Sequence, residues 1–140
     1  MKSEPVIIDT GPIVAILNRR DSQHTLCYGQ SLELAPPFLT TWPVIAEAAW
    51  MLRHTTGGVS KLLGMISAGL LDCYPLDGDS ASWMDAFLKK YADQNPQLAD
   101  ASLMYVAERK QAEVIFTLDR RDFSIYRRSD NCPLSILPEV

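Results

Sequence analysis

The chain has 140 residues, 47% of them hydrophobic and 21% charged, with a formal net charge of -4 at pH 7. These values exclude a disordered chain and a disulfide-stapled miniprotein, and they predict one folded domain over residues 1–140 with a substantial core. A pI of about 5.1 excludes a surface that attracts nucleic acid everywhere, so any such contact has to be local.

In chain order, "PVIID" predicts a short strand ended by Asp9, and "TGP" places Pro12 in the first turn of a helix running to about Arg20. "DSQHTLCYGQSL" has only weak helical periodicity, and "APPFLTT" predicts a Pro-rich loop followed by a short strand at Phe38 to Thr41. In "TTWPVIAEAAWMLRHTTGG", Thr41 is the candidate N-cap, Pro43 lies in the first turn, and Gly57 and Gly58 are the predicted stop. "SKLLGMISAG" predicts a short helix closed by Gly69, and "LLDCYPL" a strand.

A helix follows from Asp79 or Ser80. Its residues Trp83, Met84, Phe87, Leu88 and Tyr91 recur at helical spacing as a core stripe, with Lys89 and Lys90 off it. After Pro96, "QLADASLMYVAERKQA" predicts another helix, "EVIFTL" a strand leading to Asp119, then a basic loop and a last strand at "LSIL". This alternation predicts an α/β fold: a three-layer α/β/α sandwich around a mainly parallel central sheet.

Cys27, Cys73 and Cys132 are widely spaced and lack CxxC or Cys/His pairing, which predicts free thiols in a reducing compartment rather than a zinc site. The N-terminus lacks the regions of a signal peptide, and no apolar run approaches the ~18 residues of a membrane span. A soluble, cytoplasmic protein with no membrane partner is the expectation.

The acids are the unusual feature. Asp9 and Asp119 each follow a strand that is apolar on both faces, so both should emerge at one edge of a parallel sheet, where neighbouring strands lie only ~4.8 Å apart. Glu47 has Val44, Ala48 and Met51 around it on its helix. Asp100 has Leu103, Met104 and Ala107, and it lies near a helix start whose dipole should help keep it ionised. Each acid alone is compatible with a cap or an ion pair, but together they predict carboxylates crowded into one partly desolvated site, for which a hard divalent cation is the ordinary remedy. Asp122 is either a further acid at that edge or the cap of the following segment.

Carboxylate-held Mg²⁺ or Mn²⁺ suits phosphodiester hydrolysis, and Arg120, Arg121, Arg127 and Arg128 put positive charge beside the acids where a phosphate backbone would pass. Thr10 and Thr117 adjoin strand-end acids and are candidates to orient a carboxylate, a water or the substrate. His24 and His54 have no partner at metal-ligand spacing, and no phosphate-binding glycine loop occurs. Tyr28, Tyr126 and Trp42 read as packing residues.

In that order and context, "VIIDTGPIVAIL", "TTWPVIAEAAWML", "LADASLMYVAE" and "VIFTLDRRDF" resemble the successive acidic motifs of PIN domains, and the similarity spans essentially the whole chain. The resemblance implies a metal-dependent ribonuclease similar to the VapC-like toxins, with an RNA substrate, a cognate antitoxin and a homodimeric state. Asp9, Glu47, Asp100 and Asp119 then correspond to the catalytic acids and Asp9, Asp100, Asp119 and Asp122 to the metal-binding set, with the choice between Asp119 and Asp122 open. Thr10, Thr117, Arg120 and Arg121 are the candidate substrate contacts. Two other PIN-like readings stay open, a non-catalytic binding module and an RNA-processing nuclease without an antitoxin. Asp-Thr-Gly at residues 9–11 also occurs in aspartic proteases, but a helix-rich pattern and the following Pro12 disfavour that scaffold.

Overall fold

The computed structural model describes residues 4–139. Residues 1–3, part of the stretch read as lacking a signal peptide, and residue 140 lie outside them. Among the described residues, five short strands form one sheet in the order β3-β2-β1-β4-β5, every pair parallel: β1 (Val6–Ile8), β2 (Phe38–Thr40), β3 (Leu71–Cys73), β4 (Val114–Phe116) and β5 (Ser135–Leu137). The sheet is thus wholly parallel.

β1 is central, and Ile7 pairs with Leu39 on one side and with Ile115 on the other. Strands buried on both faces need unbroken apolar sequence, and Ile7, Ile8, Ile115 and Phe116 supply it at 0–1% exposure. Each such side chain stabilises the fold by about 1.5–3 kcal/mol through removal of apolar surface from water.

The chain winds from β1 outward through β2 to β3, using α1 (Thr10–Leu17), α2 (His24–Leu32), α3 (Trp42–Met51) and α4 (Gly58–Ser67). It then crosses back through α5 (Gly78–Lys90) and α6 (Leu98–Lys110) to β4, and α7 (Arg120–Phe123) precedes β5. Because parallel crossovers are right-handed, reversing the direction of winding puts α1 to α4 on one face and α5 to α7 on the other. The packing agrees: α1 contacts α2, α3 and α4, whereas α5 pairs with α6, which also covers β1 and β2. This is the three-layer sandwich, and the reversal places a switch point between β1 and β4.

Several elements differ from their sequence expectations. α3 ends at Met51 rather than at the glycines, because the chain turns to bury Leu52 completely. Gly57 instead adopts the left-handed conformation (φ 67°) that starts α4. Gly69, at φ 80°, does close α4, with the Leu70 N–H returning to the Met65 carbonyl. The core stripe of α5 is buried or half-buried as expected, and Lys89 and Lys90 are exposed. α7 forms where a basic loop was expected, since the Asp119 carboxylate accepts the Asp122 N–H at 3.2 Å and caps a helical turn. The cysteines are free, with Cys27 buried and its thiol pushed up to about 11 by burial.

Candidate functional site

The carboxyl ends of β1 and β4 meet at the switch point, where the Asp9 N–H donates to the carbonyl of Phe116, the last residue of β4, at 2.9 Å and continues the ladder one residue past β1. Asp9 sits at that last rung and turns the chain into α1. Its Oδ1 accepts the Thr10 N–H at 2.8 Å, and its Oδ2 accepts the Thr117 hydroxyl, also at 2.8 Å. Thr117 Oγ1 in turn accepts the Asp119 N–H at 3.0 Å, so one buried hydroxyl orients Asp9 and begins the turn that presents Asp119.

Glu47 arrives from α3. The Thr10 hydroxyl donates to its Oε2 at 2.9 Å, which links the acid of the second motif to the residue beside the first. The N-terminal ends of α3 and α6 are tied together inside the protein: Ser102 Oγ donates to the Ala99 carbonyl, leaving the Thr41 hydroxyl to donate to Ser102 at 2.6 Å. Thr41 is therefore at the N-cap position but spends its side chain on α6 rather than on α3. That bond helps hold Asp100, in the first turn of α6, across from Glu47.

An open cleft of about 510 Å³ is lined by Asp9, Thr10, Glu47, Asp100, Asp119 and Asp122. Within it, one carboxylate oxygen each from Asp100, Asp119 and Asp122 lies within 4.8 Å of the others. Asp119 and Asp122 thus both reach the cluster, although only one acid of this pair was required. Asp119 is the cap of α7, and Asp122 stands in its first turn.

Crowding shows in the acid strengths. Burial, then the charge of Asp9, pushes Asp100 up to about 6 despite a hydrogen bond from Tyr126 that works the other way. Asp100 thus lies above the ordinary carboxylate range even in the first turn of α6, with desolvation and the neighbouring Asp9 as the leading causes. Asp9 is raised by burial against the Thr10 and Thr117 hydrogen bonds, with Glu47 and Asp119 adding repulsion, and Asp122 is raised by burial and by Asp119.

This donor set fits a hard divalent cation. All donors are oxygens, their mutual repulsion disfavours the ionised cluster, and one oxygen from each of the three acids lies within 4.8 Å of the others, so Asp100, Asp119 and Asp122 could share one ion. No nitrogen or sulfur ligand joins them among the described residues, so a zinc-type site is not formed.

The basic residues divide. Arg121 is exposed beside Asp122 and only partly offsets the rise in that acid's pKa, whereas the Arg120 guanidinium donates to the Pro138 carbonyl at 2.8 Å. Arg127 is occupied with the Ser124 and Tyr126 carbonyls. Arg128 is 6% exposed, paired with Asp130 at 2.7 Å and bonded to the Ala112 carbonyl at 2.9 Å. It is a buried clamp, which corrects its reading as charge facing a substrate. Thr10 and Thr117 likewise spend their hydroxyls on carboxylates.

Sequence reading missed the rest of the cleft. Trp50 and Met51, at 66% and 55% exposure, continue the Glu47 face of α3 outward, and Asn95 and Gln97 line the cleft from the segment that leads into α6. Arg53 stacks 3.8 Å from the Trp50 ring centroid. Met51, read as one of the apolar neighbours of Glu47, is exposed, and Trp42 and Tyr28, read as packing residues, are about half exposed at 55% and 48%. The signal for Trp50 was its place one turn after Glu47.

An α/β/α sandwich with carboxylates gathered at its switch point is the class of protein that fold and site define. No family model matches the chain. In sequence it is 27% identical to Ribonuclease VapC26 of Mycobacterium tuberculosis over 139 residues, 95% of this chain and 100% of that protein. In structure it is similar to Mycobacterium tuberculosis VapC20, described as a sarcin-ricin loop cleaving toxin, with a TM-score of 0.75, 15% identity, and coverage of 83% of this chain and 91% of that one. The resemblance to VapC-like PIN-domain ribonucleases read from the acidic motifs therefore holds in sequence along nearly the whole chain and, independently, in fold.

Proposed function

We propose that this protein is an Mg²⁺- or Mn²⁺-dependent endoribonuclease that hydrolyses RNA phosphodiester bonds, and that it is the toxin of a toxin-antitoxin pair. The observation that carries the reading is the convergence of Asp100, Asp119 and Asp122 on one point beside Asp9 and Glu47, in a chain similar end to end to a VapC ribonuclease. Asp9, Asp100, Asp119 and Asp122 would hold the cation, and the catalytic set is Asp9, Glu47, Asp100 and Asp119. A bound divalent ion supplies a water of lowered pKa and neutralises charge on a phosphoryl oxygen.

The chain's own groups do the rest. Thr10 and Thr117 fix the planes of the Glu47 and Asp9 carboxylates. Glu47, held on one side by Thr10 and lining the cleft, would accept a proton from water there. Arg121 meets the backbone phosphate beside the cluster, with Arg120 next to it. Trp50 offers an exposed ring to a base, and Asn95 and Gln97 offer amides to its edge or ribose across the cleft.

The partners are a cognate antitoxin and a second copy of the chain in the cytoplasm. Exposed Leu26, Tyr28 and Leu32 along α2 give apolar surface for such contacts, and no helix among the described residues is long and apolar enough to cross a membrane. Light scattering on the purified protein measures the dimer.

The test is cleavage of a mixed cellular RNA pool with Mg²⁺, Mn²⁺ or chelator, comparing the wild type with Asp100→Asn. Metal-dependent cutting that falls about 100-fold or more in the variant is expected, the size of effect lost with a positioned proton-transfer or charge-stabilising group. Equal cutting by both proteins, or none by either, would sink the nuclease reading in favour of a binding module. Cleavage in a cell with no antitoxin partner would favour an RNA-processing role.

A further inference from the structure

Tyr126 is completely buried, and its hydroxyl donates to Asp100 Oδ2 at 3.1 Å. The proton has to come from the tyrosine, since an ionised carboxylate only accepts, and burial raises the phenol's own pKa so that the proton stays in place. Fixing one carboxylate oxygen fixes the plane of the group and the direction of the other.

The backbone of Tyr126 belongs to the opposite side of the cluster. Its N–H donates to the Asp122 carbonyl at 3.2 Å, and the Asp122 N–H is itself held by the Asp119 carboxylate at 3.2 Å. Its ring meets Phe87, Tyr91 and Phe123 edge-on, with centroids 5.0, 5.1 and 5.2 Å away. One rigidly packed residue therefore spans from the segment carrying Asp119 and Asp122 to the acid on α6.

We propose that Tyr126 is a positioning residue of the metal centre, whose hydroxyl sets the Asp100 carboxylate against the Asp119 and Asp122 pair. The inference rests on the metal-centre reading above. Groups that hydrogen-bond to metal-ligating side chains orient them, and removing one typically weakens metal affinity by about 10–100-fold.

A buried tyrosine also needs a partner for packing reasons alone, and Tyr91 supplies the control. Its ring lies in the same aromatic cluster, 4.7 Å from Phe87, and its hydroxyl accepts the Arg127 N–H at 3.0 Å without touching an acid. Mn²⁺ binding is titrated by calorimetry for the wild type, Tyr126→Phe and Tyr91→Phe, with folding followed by circular dichroism. Tyr126→Phe is expected to bind Mn²⁺ about 10–100-fold more weakly, while Tyr91→Phe stays within about twofold of the wild type.

Wild-type affinity in Tyr126→Phe, or an equal loss in both variants, overturns the positioning role. If the wild type binds Mn²⁺ and Tyr126→Phe binds it weakly, but no RNA is cut, the positioning role stands and the nuclease reading falls. If the wild type binds no Mn²⁺, both fall together.

Discussion

The bodies of β1 and β4 and the residues just past them are opposites within the same two strands. Ile7, Ile8, Ile115 and Phe116 have at most 1% exposure and contribute only by leaving water, whereas Asp9 and Asp119, one and three residues further on, sit where carboxylates repel one another. Stability resides in the strand and the candidate chemistry in its continuation. The lesson is that the ladder which buries the apolar residues also fixes the acids, because the Asp9 N–H is still bonded to the Phe116 carbonyl.

Substitutions on the two sides should therefore act in different ways. Ile115→Ala, in the strand body, is expected to cost about 2–5 kcal/mol of unfolding free energy through lost burial and a residual cavity. Urea unfolding measures it, and a cost under about 1 kcal/mol would show a core able to collapse around the gap.

Away from the acids, at the opposite end of β4, Arg128 is the buried clamp of the basic segment, bonded to the Ala112 carbonyl just before that strand. Arg128→Met keeps the volume but leaves the Ala112 carbonyl without its donor, at an expected cost of about 1–3 kcal/mol, with metal binding unchanged. A drop in Mn²⁺ affinity with no change in stability would reverse that expectation and return Arg128 to the site.

The smallest effect is a pH dependence confined to the acid side. Asp100 has its folded pKa raised from 3.8 to about 6, so the folded state binds the proton more tightly than the unfolded state does. Its stabilising contribution is fully present below the unfolded value and is lost as pH rises through about 6. With chelator present, the wild type should lose stability relative to Asp100→Asn between about pH 4 and about pH 7, and Mg²⁺ should remove much of the difference. Parallel melting curves across that range would contradict the crowding of charge.

The legible part of the site was its chemistry. An acid after an apolar run, as at Asp9, and an acid among apolar helical neighbours, as at Glu47 and Asp100, are local anomalies that a sequence displays openly. The segment after β4 was less legible, because "TLDRRDF" supports either a loop or a capped turn, and only the Asp119 to Asp122 hydrogen bond distinguishes them. Trp50 and Met51 were hidden by their type, since large apolar residues on a helix usually face the core, and here the helix carries them out along the cleft.

The sequence by itself determined the alternation of strands and helices, the burial of the central strands and the identity of the acids, because these follow from short-range periodicity and side-chain chemistry. The tertiary structure decided who meets whom. Thr117 reaches Asp9 across 108 residues, Tyr126 reaches Asp100 across 26, and Arg128 turns inward while Arg121 stays in solvent. Those outcomes depend on the order in which the strands are wound and on which helix ends are packed together, and a hydrogen bond between distant residues leaves no periodic trace in either neighbourhood.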